Sequence, residues 1–295
     1  MKKIITLIIG LFLFNAGYGE QEPTAYALNE EYNFWNLQKG QTACVFADNA
    51  YIRSYPDLKS KILDSIVLGT PVTIVSPAYN GDKVRGFYAP WYEVVYKKDN
   101  EDRKGFIWLG LLALGRNVDA DGNQYIHGFE RFVSYTNLVQ AHYDCAVKLL
   151  DINGNFISKY EFTYNFGDQT FTQSKILPSM GLEGIKNIHR IEFVGEACGV
   201  PTNYYYVAWN GEKFIEMPGR YRVSDAGVFY YNESILFPSE HKKEPNYIYK
   251  LIEQGEVMDE KADDYKYLVN KRQEIYYWNG TSFVFLPALK GTRFK

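Results

Sequence analysis

Three Asn-Gly pairs, each set between runs of β-forming residues, constrain this chain more than any other feature. Segments 146–150 and 156–162 flank a turn containing Asn153-Gly154. Segments 204–209 and 213–217 flank Asn210-Gly211, and 275–278 and 282–286 flank Asn279-Gly280. Both residues tolerate positive φ, and the turns they favour twist the same way as the strands they join, so each pair predicts a tight antiparallel hairpin. The last two hairpins are also alike in wording, Tyr-Val-Ala-Trp-Asn-Gly-Glu-Lys-Phe-Ile at 206–215 and Glu-Ile-Tyr-Tyr-Trp-Asn-Gly-Thr-Ser-Phe-Val at 274–284. The three turn glycines are unequally spaced, and three units would not close a propeller, so a curved or stacked antiparallel sheet is expected over 125–295. The expected class is mainly β. One short helix is expected, over the charge-dense stretch 254–267, and 175–186 reads as loop.

At the N-terminus, Lys2 and Lys3 precede an apolar run from Ile4 to Phe14 and small residues at Ala16, Gly17 and Gly19. This is the build of a secretory signal over 1–19, and its apolar core is shorter than the roughly 20 residues a membrane-spanning helix needs. Export to the periplasm or medium follows as an expectation, with no membrane span left after cleavage. The formal net charge of −3 becomes two units more negative once the two lysines go. Together with the lack of a long basic block, that argues against nucleic acid as a partner. Cys44, Cys145 and Cys198 are odd in number, so at least one stays unpaired within a monomer, and Cys145 with Cys198 is the favoured pair if any forms.

Residues 38–116 hold a second set of short strands: Ala-Tyr-Ile-Arg-Ser-Tyr-Pro at 50–56, Ile-Val-Leu-Gly-Thr-Pro-Val-Thr-Ile-Val at 66–75, Trp-Tyr-Glu-Val at 91–94 and Lys-Gly-Phe-Ile-Trp at 104–108. This spacing resembles the bacterial SH3-like (SH3b) domain. Ile52, Arg53, Ser54 and Pro56 fit the motif that opens its barrel; Leu68, Gly69 and Val72 lie near the second, Trp91 and Val94 fit the third, and Gly105 to Ile107 the fourth. Tyr55 stands where the family has glycine, and Phe106 where it has tryptophan. The resemblance implies a small barrel over 38–116 and a habit of binding outside the cytoplasm, with cell-wall peptide or glycan as ligand or a cell-envelope protein as partner. By the family's habit of presenting aromatics between loops, Tyr51, Arg53, Tyr55, Tyr92 and Trp108 are the candidate ligand-binding residues, although Arg53 also reads as a hydrogen-bonding fork between loops. Residues 20–37 form a lead segment whose Phe34, Trp35 and Leu37 are expected to pack on the barrel, and the polar, turn-rich stretch 117–124 reads as a linker.

The abundance of aromatics, with 26 tyrosines and 5 tryptophans, permits two readings. Rings on a solvent-facing side stack on sugars or grip an extended peptide; rings between sheets fill a core. An enzyme reading exists beside them. In papain-like cell-wall endopeptidases of the NlpC/P60 family an SH3-like domain precedes a catalytic domain with a cysteine nucleophile, and Asp144-Cys145 with His189 occupies about that place. A thiolate beside an imidazole is how such a cysteine becomes nucleophilic. The nucleophile should begin a helix, however, whereas 146–162 reads as a hairpin, and Val147 replaces the motif's glycine. Non-catalytic binding is therefore the primary expectation, with no cofactor; a cysteine peptidase and a protein-binding inhibitor or assembly factor are the alternatives. Asn117, Asp119, Asp121 and Gly122 have the spacing of half a calcium loop, but Gly128 holds the position of its bidentate glutamate, so no metal site is expected.

Overall fold

The computed structural model describes residues 34–165, 170–258 and 266–287. The signal segment and most of the lead segment lie outside these residues. The chain is mainly β, as expected, and its strands form three antiparallel sheets. No helix among the described residues is long and apolar enough to cross a membrane.

The first sheet holds β1 (Thr42–Cys44), β2 (Asn49–Arg53), β3 (Ile62–Val67), β4 (Pro71–Ile74), β5 (Tyr79–Val84), β6 (Phe87–Lys98) and β7 (Glu101–Trp108). Its order is β1-β4-β6-β7-β2-β3, with β5 also paired to β6. The ladder runs open from β1 to β3 and does not close into a barrel among the described residues. Asp99 and Asn100 join β6 to β7 with φ of 52° and 63°. Two successive left-handed residues match the right-handed twist of the strands, which is why this long hairpin turns so tightly.

The second sheet holds β8 (Gly115–Val118), β9 (Gln124–Val133), β10 (His142–Leu150) and β11 (Phe156–Asn165), in the order β11-β10-β9-β8. Residues 117–124 thus run through the turn of the β8/β9 hairpin. Asp119 Oδ1 accepts from the Asp121 and Asn123 amides at 3.0 and 2.9 Å, and Oδ2 accepts from the Asn123 and Asn187 side chains at 3.0 Å each. That carboxylate is spent on shaping the turn, and no group of three metal-ligating side chains occurs among the described residues.

The third sheet holds β12 (Thr170–Pro178), β13 (Asn187–Gly195), β14 (Thr202–Trp209), β15 (Phe214–Glu216), β16 (Arg220–Asp225), β17 (Phe229–Leu236), β18 (Tyr247–Val257), β19 (Tyr267–Trp278) and β20 (Phe283–Leu286). Its order is β12-β13-β14-β16-β17-β18-β19-β20, with β15 also on β14. One helical turn, α1 (Pro238–His241), follows β17. All three Asn-Gly turns join the strand pairs expected of them: β10 with β11, β14 with β15, and β19 with β20.

Two expectations are corrected. Gln254 to Val257 end β18 and Tyr267 opens β19, so the helix expected over 254–267 is strand at both ends; 259–265 lie outside the described residues. The described strands flanking that stretch are ion-paired across the ladder, Lys271 meeting Glu253 at 2.6 Å, and cross-strand ion pairing serves a sheet as the i, i+4 pair serves a helix. Lys175 to Pro178 likewise continue β12, paired with Asn187 to Arg190, rather than starting a loop.

One apolar cluster spans all three sheets, from Phe34 to Trp209. Phe34 and Trp35 are its bolt. The Phe34 ring lies 5.3 Å from Phe129, 5.9 Å from Tyr143 and 6.4 Å from Phe193, and Trp35 stacks on Phe87 at 6.5 Å while its Nε1–H donates to the Leu112 carbonyl at 3.0 Å. Phe34 and Trp35 therefore pack on the first sheet, as expected, and on the other two as well. Both faces of β10 are covered: Tyr143, Cys145, Val147 and Leu149 enter this cluster, and Ala146 and Leu150 pack with Phe46 and Ile126 on the other side. Lys148 shares that second face. Its ammonium donates to the Phe46 carbonyl and to Asp48, at 3.1 and 2.9 Å, and so ties the second sheet to the first.

Candidate functional site

The five aromatic and cationic residues expected to line a ligand groove in the first sheet do not converge. Trp108 is fully buried: its ring packs on Phe87 at 4.9 Å, and its Nε1–H donates to the carbonyls of Ala89 and Asp82 at 2.8 and 3.0 Å. Tyr92 is buried too. Both are core residues, a correction that follows from strand alternation: sequence shows that alternate rings share a face but not which face is inside. Tyr51 and Tyr55 are exposed on the β2/β3 hairpin. Arg53 donates from Nη1 to the Ser60 carbonyl at 2.7 Å, which is the loop-tying role.

Cys145 and His189 sit on separate strands of separate sheets and in separate surroundings. Cys145 lies mid-strand in β10, begins no helix, and donates only a long bond from Sγ to the Tyr143 carbonyl at 3.6 Å. Burial, with Asp144 adding to it, pushes its thiol well above the ordinary range, opposite to what a nucleophile needs. His189, on β13, is fully buried; its Nε2 hydrogen-bonds Asn117 Oδ1 at 3.1 Å, and its ring faces His127 at 5.4 Å and Tyr125 at 5.6 Å. All three cysteines are free, and only Cys198 is exposed. Burial raises the Cys44 thiol to about 12. An aromatic disulfide reagent should therefore label one thiol per native molecule quickly and the other two only on unfolding; fast labelling of two or three would contradict this burial.

The concave surface with convergent polar groups lies elsewhere, where β11 of the second sheet faces β14, β15 and β16 of the third. β15 and β16 both pair with β14 but are separated by a bulge over 217–219. Gly219 is required there, because a Cβ at that position would stand 2.9 Å from the Tyr204 carbonyl oxygen. The groove that results has a volume of about 520 Å³, within the roughly 300–1,000 Å³ usual for small-ligand sites. Its walls carry the half-buried Tyr160 and Tyr205 and the exposed Tyr221, with the buried Tyr204 and Tyr206 reaching it from the core and Val147, Phe162, Ile191 and Val207 beneath.

One side of the groove is a pre-set charge network centred on Glu233. This buried carboxylate accepts from the Tyr221 amide at 2.9 Å, the Tyr231 hydroxyl at 2.8 Å and the Lys250 ammonium at 2.9 Å. Arg220 lies over the Tyr204 ring at 3.5 Å, donates from Nε to the Tyr206 hydroxyl at 3.1 Å, and donates from Nη1 to the Glu233 carbonyl at 3.1 Å. The Tyr231 phenol is raised well above its ordinary range by burial and then by its bond to Glu233. The opposite side is softer. Tyr160, Phe162 and Tyr205 form a ring cluster with centroids 6.2 and 4.8 Å apart, and exposed Glu216 stands beside it. Burial, with the Glu216 charge second, raises the Tyr160 hydroxyl to about 12.

No cysteine, histidine or serine lines this groove. Three donors already engage Glu233, and the rings and hydroxyls around it are suited to stacking and hydrogen bonding. Sequence reasoning missed all of these residues. The run Tyr204-Tyr205-Tyr206 carried only part of the signal: consecutive rings face opposite sides of a strand, and here Tyr204 and Tyr206 enter one core while Tyr205 packs against another. Comparison with family models, curated proteins and solved structures returns no match to this chain.

Proposed function

We propose that this chain is an exported, non-catalytic binding protein of the bacterial cell envelope, which recognises cell-wall peptide or glycan through the tyrosine groove between β11 and the β14–β16 bulge. The observation that carries the reading is that groove: aromatic faces for stacking, tyrosine hydroxyls at the edge, and a rigid ion network below, in a cavity of ligand size. Export rests on the signal-like N-terminus, and the envelope assignment on the SH3-like motifs in 38–116. Peptidase chemistry by Cys145 loses its support, since its thiol is buried and held protonated.

Co-sedimentation with purified peptidoglycan is the test. The protein is expected in the pellet, releasing no soluble muropeptides, and a Cys145→Ala variant should behave identically. Failure to pellet at high peptidoglycan concentration would remove the ligand assignment; Cys145-dependent release would restore the peptidase. A protein partner is the second reading, favoured by exposed Tyr51, Tyr55, Leu58, Ile62, Leu63 and Val67 on a single hairpin.

A further inference from the structure

We infer that the groove selects a ligand bearing a free ammonium or guanidinium group, held between the Glu216 carboxylate and the rings of Tyr160 and Tyr205. This deepens the binding reading above and rests on it for the use of the groove.

Five charged side chains line the groove: Glu161, Glu216, Arg220, Glu233 and Lys250. Four are already engaged. Glu161 pairs with Lys159 at 2.7 Å, Glu233 with Lys250 at 2.9 Å, and Arg220 is stacked on Tyr204 with donors placed on Tyr206 and Glu233. Glu216 has no ion-pair or side-chain hydrogen-bond partner among the described residues, and its charge acts on the Tyr160 phenol, which it can only repel when both are charged. It shares a face of β15 with Phe214, since residues two apart on a strand point the same way, and the Phe214 ring lies 6.4 Å from Tyr160. An unpaired carboxylate in an aromatic-walled groove draws a cation by ion pairing and through the negative faces of the rings.

The charge balance on this side also discriminates between ligands. Lys250 neutralises Glu233, and Glu161 shares Lys159 with Glu130, so Glu216 leaves the β11 side of the groove negative. A carboxylate ligand would be repelled there, and a neutral sugar would leave Glu216 uncompensated. The N-acetylated sugars of a wall strand carry no cation; a peptide with an unblocked amine does.

Two blocked tripeptide amides, acetyl-Ala-Lys-Ala and its Nε-acetylated form, are the probes, titrated into the full chain at low salt and followed by calorimetry. The free amine is expected to bind at least tenfold more tightly, and Glu216→Gln, at an exposed position, to erase that difference. Equal affinity for the two peptides, or a difference that survives Glu216→Gln, would overturn the inference. Pelleting with peptidoglycan before and after acetylation of its amines separates this result from the parent reading. Equal pelleting with both would keep the envelope assignment and remove the amine. Glu216-dependent binding of the lysyl peptide without pelleting would keep the amine and remove the envelope. Neither binding nor pelleting would overturn both.

Discussion

Replacing Glu233 with alanine is expected to lower the stability of the protein by about 3–5 kcal/mol, the range for removing one partner of a buried, hydrogen-bonded ion pair. Glu233 is only 3% exposed, and its carboxylate satisfies the Tyr221 amide, the Tyr231 hydroxyl and the Lys250 ammonium together. Truncation strands Lys250, whose side chain is 13% exposed, near Arg220 with no counter-charge. The penalty is chiefly that of an uncompensated buried cation, so adding Lys250→Met should recover part of it. Urea denaturation of the two variants measures both quantities. In a chain of this size the single variant should also melt roughly 10 °C lower. A loss below about 1 kcal/mol would mean that the network is solvated and does not hold the β16–β18 region together.

Acidification should destabilise the protein well before its carboxylates titrate. His127 and His189 are both buried, on β9 and β13, and neither ring nitrogen of His127 nor Nδ1 of His189 meets a hydrogen-bond partner among the described residues. Burial lowers the His127 imidazole to about 3 and holds His189 well below its ordinary value, the nearby His127 adding to the effect. Both are neutral in the folded state, while in the unfolded chain both take up protons below a pH of about 6.5. The unfolded state then binds more protons, so stability is intact above that pH and falls as the pH drops toward the folded values. Each group contributes about 1.4 kcal/mol per pH unit, so the pair should cost about 5 kcal/mol between pH 6.5 and pH 4.5. Denaturation midpoints across that range should show this slope, and His127→Phe combined with His189→Gln should flatten most of it. A flat profile in the parent protein would place the two rings in contact with water.

How much of this was legible in the sequence follows from how local each feature is. The three Asn-Gly hairpins were legible because turn chemistry is set by neighbouring residues. The burial of Phe34 and Trp35 was legible from their apolar character, but their role in joining three sheets depends on Phe87, Phe129 and Phe193, which come together only in the fold. The helix expectation failed at 254–257 because it was carried there by the charges that follow, whereas Gln254 to Val257 themselves pair with β19 as the end of β18. Tyr92 and Trp108 were misplaced because a ring that fills a core and a ring that stacks on a ligand have the same chemistry. The groove was hidden for a further reason. Arg220, Glu233 and Lys250 are far apart in sequence and meet only through the registers of β16 on β17 and β17 on β18.

The most direct test of the tyrosine groove as the binding surface is a pelleting comparison on purified peptidoglycan between two paired variants, each checked for an unchanged circular dichroism spectrum. One removes groove rings, Tyr160→Ala with Tyr221→Ala; the other removes the exposed rings of the first sheet, Tyr51→Ala with Tyr55→Ala. The groove variant is expected to lose at least tenfold in apparent affinity while the first-sheet variant binds as the parent does. The reverse pattern would contradict the groove and move the binding surface to the β2/β3 hairpin.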